Sequence, residues 1–356
     1  MKPAMFLAVV LAGMCLAVGC GRQPGVADPQ TKIEGAGSTF AAPLIDRWAK
    51  EYHKRNPQVA VTYEAVGSGE GESRFLKEKG DFGGTDAGLS SATLGTVARG
   101  AVQVPITAGI IVLAYNPEGL PANLKLPRAV YADAFLGKEV RWNDERIQQA
   151  NPGKSLPDRP IALIVRQDSS GTTYAFTNHL AAISQEWRER FGNKEAHGKT
   201  DLGVKNLDWP GAAMREPGNS GVASGIQRAP YSLGYVQYGA AREVNLGMAA
   251  LENKAGKYVQ PSGTSGLETL LNAEMPPDLR AYFPDPGGEY SYPIVTFTWA
   301  LVYRQYSDPT KAQAVKDFIG WCLTSGQDFS EGAGNVRLAP HVVRAAEKAL
   351  QAIQAP

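Results

Sequence analysis

One stretch of the sequence, IALIVRQDSSGT at residues 161–172, decides the fold. It begins with a continuous aliphatic and β-branched run, which is typical of a buried strand in a parallel sheet. It continues through a small polar loop into a helical pattern from about Thr173 to Phe191. Elsewhere, residues 59–66 alternate like a strand, and residues 40–54 carry apolar side chains at helical spacing. This alternation of strands and helices predicts an α/β fold with parallel sheets and crossover helices.

Two long apolar segments resemble each other. Residues 104–115 (VPITAGIIVLAY) and 292–303 (YPIVTFTWALVY) both carry Pro at the second position, and each is long enough to run from one sheet into another. We interpret them as two crossings between two lobes; the alternative is two unrelated core strands. On our interpretation residues 33–107 and 297–356 form the first lobe and residues 108–296 form the second. Each lobe is then expected to be a mostly parallel sheet flanked by helices.

Length and charge narrow the range of functions. The chain has 356 residues, which is enough for one or two domains. Its formal net charge of +1 disfavours nucleic-acid binding, because that function usually requires a basic face. A small-anion site is compatible with this charge, because such a site can be built from backbone N–H groups.

The first residues resemble the signal sequence of a bacterial lipoprotein. Lys2 precedes an apolar run over residues 5–18, which is too short to span a bilayer as a mature helix. Cys20 follows directly after small residues. We therefore predict a signal peptide at residues 1–19, lipid on the Cys20 thiol, and a flexible polar tether at residues 20–32. The alternative is an ordinary secretory signal in which Cys20 is incidental, and either signal exports the chain to the periplasmic or cell-surface side of a membrane.

The cysteines predict no disulfide bond in the mature chain. Cys15 leaves with the signal peptide and Cys20 would carry the lipid, so Cys322 has no partner. Because Cys322 lies in an apolar helical stretch, we expect it to be a buried, small hydrophobic side chain.

Three loops of glycine and hydroxyl residues each follow a strand pattern and open a helix. They are GAGST at residues 35–39, GSGEG at residues 67–71 and DSSGT at residues 168–172. The first N–H groups of a helix lack internal partners and carry partial positive charge. Glycine allows close approach of the backbone, and Ser and Thr hydroxyls add donors. Three such helix ends meeting at one point could coordinate a tetrahedral oxyanion, whereas a single loop of this kind is usually only an N-cap.

Two charged residues adjoin these loops. Arg166 ends the aliphatic strand, where its guanidinium could make a bidentate contact with a phosphate or an ion pair with Asp168. Asp86 ends another short strand and could accept a hydrogen bond from the P–OH group that phosphate retains near neutral pH. Sulfate has no such proton, so a required buried acceptor would reject it by roughly 10⁴–10⁵. The alternative for Asp86 is a turn or N-cap aspartate.

Several collinear motifs extend over residues 33–345. They are GAGSTFAAPL (35–44), VGSGEG (66–71), DFGGTDAGLS (81–90), FLGKEVRWND (135–144), IVRQDSSGTTYAFTNHL (164–180) and GNSGVASGIQRAPYSLGYVQY (218–238). In this order they resemble the phosphate-binding subunit of the bacterial Pst-type ABC importers. The resemblance implies a two-lobed fold of the periplasmic-binding-protein type that closes like a hinge over inorganic phosphate in its cleft. It also implies delivery of the phosphate to the permease and ATPase subunits of an importer.

The resemblance further implies which residues bind phosphate: Thr39, Phe40, Ser68, Asp86, Arg166, Ser170, Gly171 and Thr172. Thr39 would contribute its hydroxyl, Phe40 its backbone N–H, and Asp86 the carboxylate that accepts the phosphate proton. No cofactor or metal is implied, and we expect a monomer attached to the membrane through lipid. The chain departs from the family pattern at Glu70, which we expect to face solvent, and at Ser169, where glycine is frequent.

A hydrolase of phosphate esters is the main alternative from another functional class, with Ser68 or Ser170 as nucleophile. Such chemistry requires an activating base or a metal. The four histidines are scattered without metal-ligand spacing, and no Gly-x-Ser-x-Gly elbow surrounds either serine. His179 is expected on a helix surface. We therefore predict a binding protein and not an enzyme; a binding protein for sulfate, molybdate or a phosphonate, and a sensor without a transporter, stay open.

Overall fold

The computed structural model describes residues 31–195, 200–271 and 273–354. The predicted signal peptide at residues 1–19 and the predicted lipidation site Cys20 lie outside these ranges. The first described strand begins at Thr31 and so includes the last two residues of the predicted tether.

Strands and helices alternate along most of the described chain. The strands are β1 (Thr31–Gly37), β2 (Val59–Glu64), β3 (Phe82–Thr85), β4 (Ala101–Tyr115), β5 (Lys125–Leu126), β6 (Ala162–Arg166), β7 (Met214–Glu216), β8 (Ser232–Gln237), β9 (Gly247–Met248), β10 (Ala250–Glu252), β11 (Tyr258–Val259), β12 (Val295–Tyr303) and β13 (Asn335–Val336). The helices are α1 (Ala42–Arg55), α2 (Ser68–Leu76), α3 (Ser91–Leu94), α4 (Arg128–Phe135), α5 (Glu145–Ala150), α6 (Gly171–Ile183), α7 (Gln185–Phe191), α8 (Gly218–Arg228), α9 (Tyr238–Glu243), α10 (Gly263–Leu271), α11 (Pro309–Leu323) and α12 (Pro340–Leu350). A short 3-10 helix spans Ser325–Phe329.

Within the described residues, ten strands form one sheet in the order β2-β1-β3-β12-β4-β8-β6-β7, with β9 and β13 paired to β4. The strand β4 connects the two parts of this sheet, because its residues 101–110 pair with β12 and its residues 111–115 pair with β8. We call β1, β2, β3 and β12 with α1, α2 and α11 the β1 half. We call β6, β7 and β8 with α6 and α8 the β6 half.

Both halves contain parallel strands. In the β1 half, β1 lies parallel to β2 and β3, and in the β6 half, β6 lies parallel to β7 and β8. The long strands β4 and β12 run antiparallel to each other and to their other neighbours β8 and β3, because the chain leaves the β1 half along β4 and returns to it along β12. The α/β prediction is confirmed. The antiparallel pairs along β4 and β12 are a feature that the prediction of mostly parallel sheets did not include.

The helix predicted over residues 40–54 is α1. Its apolar face, with Leu44, Ile45 and Trp48, is buried against the sheet, and the Trp48 indole N–H donates to the carbonyl of Gly326 at 2.6 Å. A proline in the first turn costs no hydrogen bond, because the N–H groups there have no partner within the helix. This packing holds the N-terminus of α1 at the end of β1.

The helical pattern from Thr173 to Phe191 forms two helices, α6 and α7, so the prediction of a single helix is wrong. The break falls at Ser184, whose backbone is extended and whose side chain accepts a hydrogen bond from the Trp187 N–H. Serine favours this N-cap arrangement over a helix interior, which ends α6 and starts α7. None of the helices in the described ranges is both long and apolar enough to cross a membrane.

Cys322 is fully buried on α11 and forms no disulfide bond within the part of the chain that the structure describes. Burial raises the pKa of its thiol well above the usual value, so the thiol stays protonated. The expectation of a buried, small hydrophobic side chain is confirmed.

Candidate functional site

The second and third glycine loops meet where the two halves face each other. The helix α2 begins at Ser68, directly after Gly67, which has a φ of 90° that favours glycine. The helix α6 begins at Gly171, after Ser170, whose hydroxyl caps it. A methyl group added at Gly171 would lie 2.5 Å from Ser68 Oγ and 2.7 Å from Asp86 Cβ. The N-termini of two helices from different halves therefore lie beside the same carboxylate.

Asp86 is at the centre of this arrangement and is only 1% exposed. Its carboxylate accepts hydrogen bonds from the hydroxyls of Ser38 (2.6 Å), Thr298 (2.6 Å) and Ser68 (3.3 Å). Burial raises the pKa of Asp86 to about 6, although the Ser38 and Thr298 hydroxyls and the charge of Arg166 act in the opposite direction. Asp86 is therefore mostly ionised at neutral pH and can accept a further hydrogen bond.

Ser38 organises the first glycine loop. Its Oγ accepts from the backbone N–H groups of Phe40 (3.1 Å) and Ala41 (3.2 Å), and it donates to Asp86. The Phe40 N–H, which the family resemblance assigns to phosphate, thus donates to Ser38 in this structure. The Phe40 ring packs on the backbone of Gly109, where an added methyl group would lie 2.5 Å away.

A fourth helix N-terminus, that of α8, also reaches the site. Asn219 in its first turn donates through Nδ2 to Thr39 Oγ1 (3.1 Å) and to Thr172 Oγ1 (3.2 Å). Its backbone N–H also donates to Thr39 Oγ1 at 3.3 Å, and its Oδ1 accepts from the Gln237 N–H at 2.9 Å. Asn219 therefore joins the first glycine loop, in the β1 half, to the start of α6.

Arg166 is buried at the end of β6, with its side chain 1% exposed. Its Nε donates to Asp168 at 2.8 Å, a second guanidinium nitrogen pairs with the same carboxylate, and Nη1 donates to Thr172 Oγ1 at 3.3 Å. Asp168 also accepts the Gly218 N–H at 2.9 Å. Burial opposes ionisation of Asp168, but the Arg166 hydrogen bonds and charge outweigh it, so its pKa is lowered. This geometry contains the ion pair with Asp168 and is also compatible with a contact between Arg166 and phosphate. The ion pair leaves Nη1 directed at the hydroxyl of Thr172, one of the residues assigned to phosphate.

The two residues that depart from the family pattern lie at the edge of the site. Glu70 is exposed and its carboxylate pairs with Arg74 at 2.8 Å, which confirms that it faces solvent. Ser169 contacts Gly69 across the two halves, with its carbonyl accepting the Gly69 N–H at 3.0 Å. Neither side chain adds negative charge beside Asp86.

Three residues of this arrangement were not assigned to the site from the sequence. Ser38 and Asn219 lie within the quoted motifs at residues 35–44 and 218–238, so their position in those motifs could have indicated them. Thr298 carries no local signal, because it is one of several hydroxyl residues on a long apolar strand and reaches Asp86 only through the pairing of β12 with β3.

The two candidate nucleophiles are engaged in structural hydrogen bonds. Ser170 Oγ accepts from the Thr173 N–H as a helix cap, and Ser68 Oγ contacts Asp86. His179 is fully buried, not on a helix surface as predicted, because α6 is buried along most of its length and its side at His179 packs against α4 and the chain near Pro284. Its ring nitrogens contact the Tyr131 hydroxyl (2.8 Å) and the Pro284 carbonyl (2.6 Å), and burial lowers its pKa to about 4.

Among the described residues, no group of three or more His, Cys, Asp or Glu side chains is placed to hold a metal ion. The polar groups around Asp86 are instead hydroxyls, an amide, a guanidinium and helix N-termini. Such donors suit an anion with at least one proton that Asp86 can accept.

Comparison with known proteins places these features in a family context. Residues 23–325 match the PBP superfamily domain. A phosphate-binding protein PstS from Methanocaldococcus jannaschii is 37% identical, and the alignment covers 90% of this chain and 88% of that protein. A phosphate-binding protein PstS from Xylella fastidiosa (strain Temecula1) is 34% identical over 89% of this chain and 84% of that protein.

Among solved structures, a phosphate-binding protein from Stenotrophomonas maltophilia superimposes with a TM-score of 0.69 and 20% identity, covering 89% of this chain and 93% of that chain. At this identity the likeness concerns the fold. The two-lobed α/β prediction is thereby confirmed.

Proposed function

The chain belongs to the PstS family of phosphate-binding proteins within the PBP superfamily, and on this premise we propose that it binds inorganic phosphate outside the cytoplasmic membrane and delivers it to an ABC importer. The single observation that carries the proposal is the meeting of the α2 and α6 N-termini at the buried carboxylate of Asp86. The helix ends and Arg166 supply donors for phosphate oxygens. Asp86 supplies a buried acceptor, which matches the P–OH group.

The selectivity against sulfate follows from the same carboxylate. An ionised Asp86 facing a fully deprotonated oxyanion has no proton to accept, so the two negative groups are left opposed and unpaired. Phosphate supplies the missing proton. Thr39, Phe40, Ser68, Ser170, Gly171 and Thr172 complete the proposed phosphate site around Asp86 and Arg166.

Export, lipid attachment at Cys20 and docking on importer subunits are parts of the proposal supported by the sequence and the family. The lobe boundaries are proposed at residues 107/108 and 296/297. The boundary in β4 is supported by the switch of its pairing from β12 to β8 after residue 110. The lobes would then close on phosphate by motion at these crossings.

Calorimetric titration at two pH values tests the proposed function and its selectivity. At about pH 7.5 we expect phosphate to bind and sulfate to give no binding heat, because Asp86 is ionised above its pKa of about 6. At about pH 5 Asp86 carries its proton and becomes a donor, so sulfate affinity is expected to increase as pH falls. Phosphate keeps a proton throughout this range and is expected to bind at both values.

Two results would contradict these expectations. Equal affinity for phosphate and sulfate at about pH 7.5 would remove the role of Asp86 as the selective group. Steady release of phosphate from a phosphate ester, with or without a divalent metal, would show an enzyme in place of a binding protein.

The Gly171→Ala substitution tests whether the start of α6 must approach Asp86 closely. The added methyl group would lie 2.5 Å from Ser68 Oγ and 2.7 Å from Asp86 Cβ, so the two lobes could not close fully. Overpacking of this kind costs about 1–3 kcal/mol, which corresponds to a loss of roughly five- to 150-fold in phosphate affinity. Calorimetry measures this loss.

Gly263→Ala is the matched control for this substitution. Gly263 is also the first residue of a helix, α10, and an added methyl group there would have no heavy atom within 4 Å. We expect wild-type affinity for this variant. Unchanged phosphate affinity in Gly171→Ala, or an equal loss in both variants, would contradict close approach at Gly171.

A further inference from the structure

Lys205 connects the two halves beside the anion site without contributing to it directly. Its backbone carbonyl accepts the N–H of Ser170, the N-cap of α6, at 2.9 Å. The neighbouring Val204 and Leu202 N–H groups donate to Thr177 Oγ1 and Asn178 Oδ1 on α6, both at 2.9 Å. The main chain around Lys205 is therefore fixed to α6, in the β6 half.

The ammonium group of Lys205 reaches into the other half. It pairs with the carboxylate of Glu72 on α2, whose side chain is 6% exposed, while the Lys205 side chain is 31% exposed. The other carboxylate oxygen of Glu72 accepts from the Thr85 hydroxyl at 2.6 Å. Thr85 directly precedes Asp86, so this ion pair lies next to the proposed phosphate site and spans the two lobes.

The position of this pair gives it a role in closure. Glu72 and the Lys205 main chain are each held in their own lobe by contacts that do not depend on the other lobe, whereas the ion pair requires the lobes to be together. A charge pair with one partner nearly buried is screened less by solvent than an exposed pair. Its energy therefore favours the closed form over the open form.

Resting on the proposed function, we propose that Lys205 is a positioning residue that holds the lobes closed over phosphate and so slows phosphate release. It acts through Glu72 and through the Ser170 cap, and it does not contact phosphate. Interactions between partly buried charges across an interface mainly change dissociation rates. The rate constant for phosphate release is therefore the quantity that should respond.

The test measures release of radiolabelled phosphate from the full mature chain after dilution into excess unlabelled phosphate. We expect Lys205→Met to accelerate release about tenfold, with the association rate constant close to wild type. Lys205→Arg keeps the charge and is expected to release phosphate at nearly the wild-type rate. In a double-mutant cycle, Glu72→Gln combined with Lys205→Met should release phosphate no faster than the Lys205→Met variant alone.

Arg74→Met is the matched control. Arg74 lies on the same helix as Glu72, pairs with Glu64 and Glu70 on the solvent side, and loses the same charge when replaced. We expect wild-type release from this variant, because its ion pairs lie within one lobe. The melting temperature of the ligand-free protein should be equal in the Lys205→Met and Arg74→Met variants, which separates closure from general stability.

The outcomes distinguish the two proposals. Phosphate binding by the wild type together with wild-type release from Lys205→Met would overturn the role of Lys205 alone. Equal acceleration in Lys205→Met and Arg74→Met would also overturn it, since net charge would then explain the effect. Absence of phosphate binding by the wild type would overturn the proposed function, and the role of Lys205 with it.

Discussion

We expect the Asp86→Asn variant to lose its discrimination between phosphate and sulfate. Asparagine has the same shape, and its Oδ1 can keep the hydrogen bonds from the Ser38 and Thr298 hydroxyls that reach Asp86 Oδ1 at 2.6 Å. The other oxygen, Oδ2, faces the start of α6, where a methyl group on Gly171 would lie 2.8 Å from it. In the variant an N–H₂ group occupies this place and donates a hydrogen bond.

This exchange of acceptor for donor affects the two anions in opposite directions. Phosphate loses a hydrogen bond to a charged acceptor, which corresponds to roughly ten- to a hundredfold in affinity. Sulfate gains a donor and escapes a buried, unpaired carboxylate. A preference of roughly 10⁴ or more is then expected to shrink to about tenfold or less. Calorimetry with both anions at about pH 7.5 measures this ratio.

Asp46→Asn is a suitable control, because it removes the same charge from an exposed position on α1. It should keep wild-type affinity and selectivity.

The pH dependence of the free energy of unfolding gives a second, independent measurement. Since folding raises the pKa of Asp86 from 3.8 to about 6, the folded protein retains a proton that the unfolded chain has released. The contribution of Asp86 to the free energy of unfolding therefore falls as pH rises through this window, and the Asp86→Asn variant lacks that contribution. Wild-type selectivity in the variant would contradict the role of Asp86.

Local patterns were sufficient for much of the fold and part of the site. The aliphatic strand and the loop at residues 161–172 indicate β6 and the start of α6. A buried parallel strand requires a run of apolar residues, and a helix cap requires a small polar residue, so both are visible within a few positions of the sequence. The long segment at residues 104–115 indicates β4 for the same reason. Asp86 and Arg166 could be proposed as site residues because each ends a strand beside a glycine loop.

The remaining features depend on contacts between distant residues. Asn219 meets Thr39 across 180 positions of the chain, so no local pattern indicates this contact. The burial of His179 depends on which face of α6 packs inward, and α6 is apolar or small on nearly all sides. The family resemblance assigned residues to phosphate, but it did not indicate that Lys205 and Glu72 would pair across the lobes.

The largest loss of phosphate affinity is expected for Arg166→Ala. The guanidinium is buried, and it neutralises Asp168, whose pKa is lowered in its presence. Without Arg166, phosphate loses a cationic donor, and Asp168 loses its cationic partner while keeping the hydrogen bond from the Gly218 N–H. Truncating one partner of a buried charge pair costs about 2–5 kcal/mol, so the dissociation constant should rise by roughly 30- to 4,000-fold. Calorimetry or equilibrium dialysis with phosphate measures the change.

A second substitution separates the two causes of this loss. In the Arg166→Ala/Asp168→Asn double variant the unpaired carboxylate is gone, so part of the lost affinity should return, by roughly tenfold, even though the cationic donor is still missing. Asp168→Asn alone leaves Arg166 charged and able to approach phosphate, so its effect should be much smaller than that of Arg166→Ala. If Arg166→Ala binds phosphate like the wild type, the guanidinium is only a partner of Asp168 and lies outside the binding site. If the double variant is as weak as Arg166→Ala, repulsion by Asp168 makes no contribution, and the whole loss belongs to the missing contact between Arg166 and phosphate.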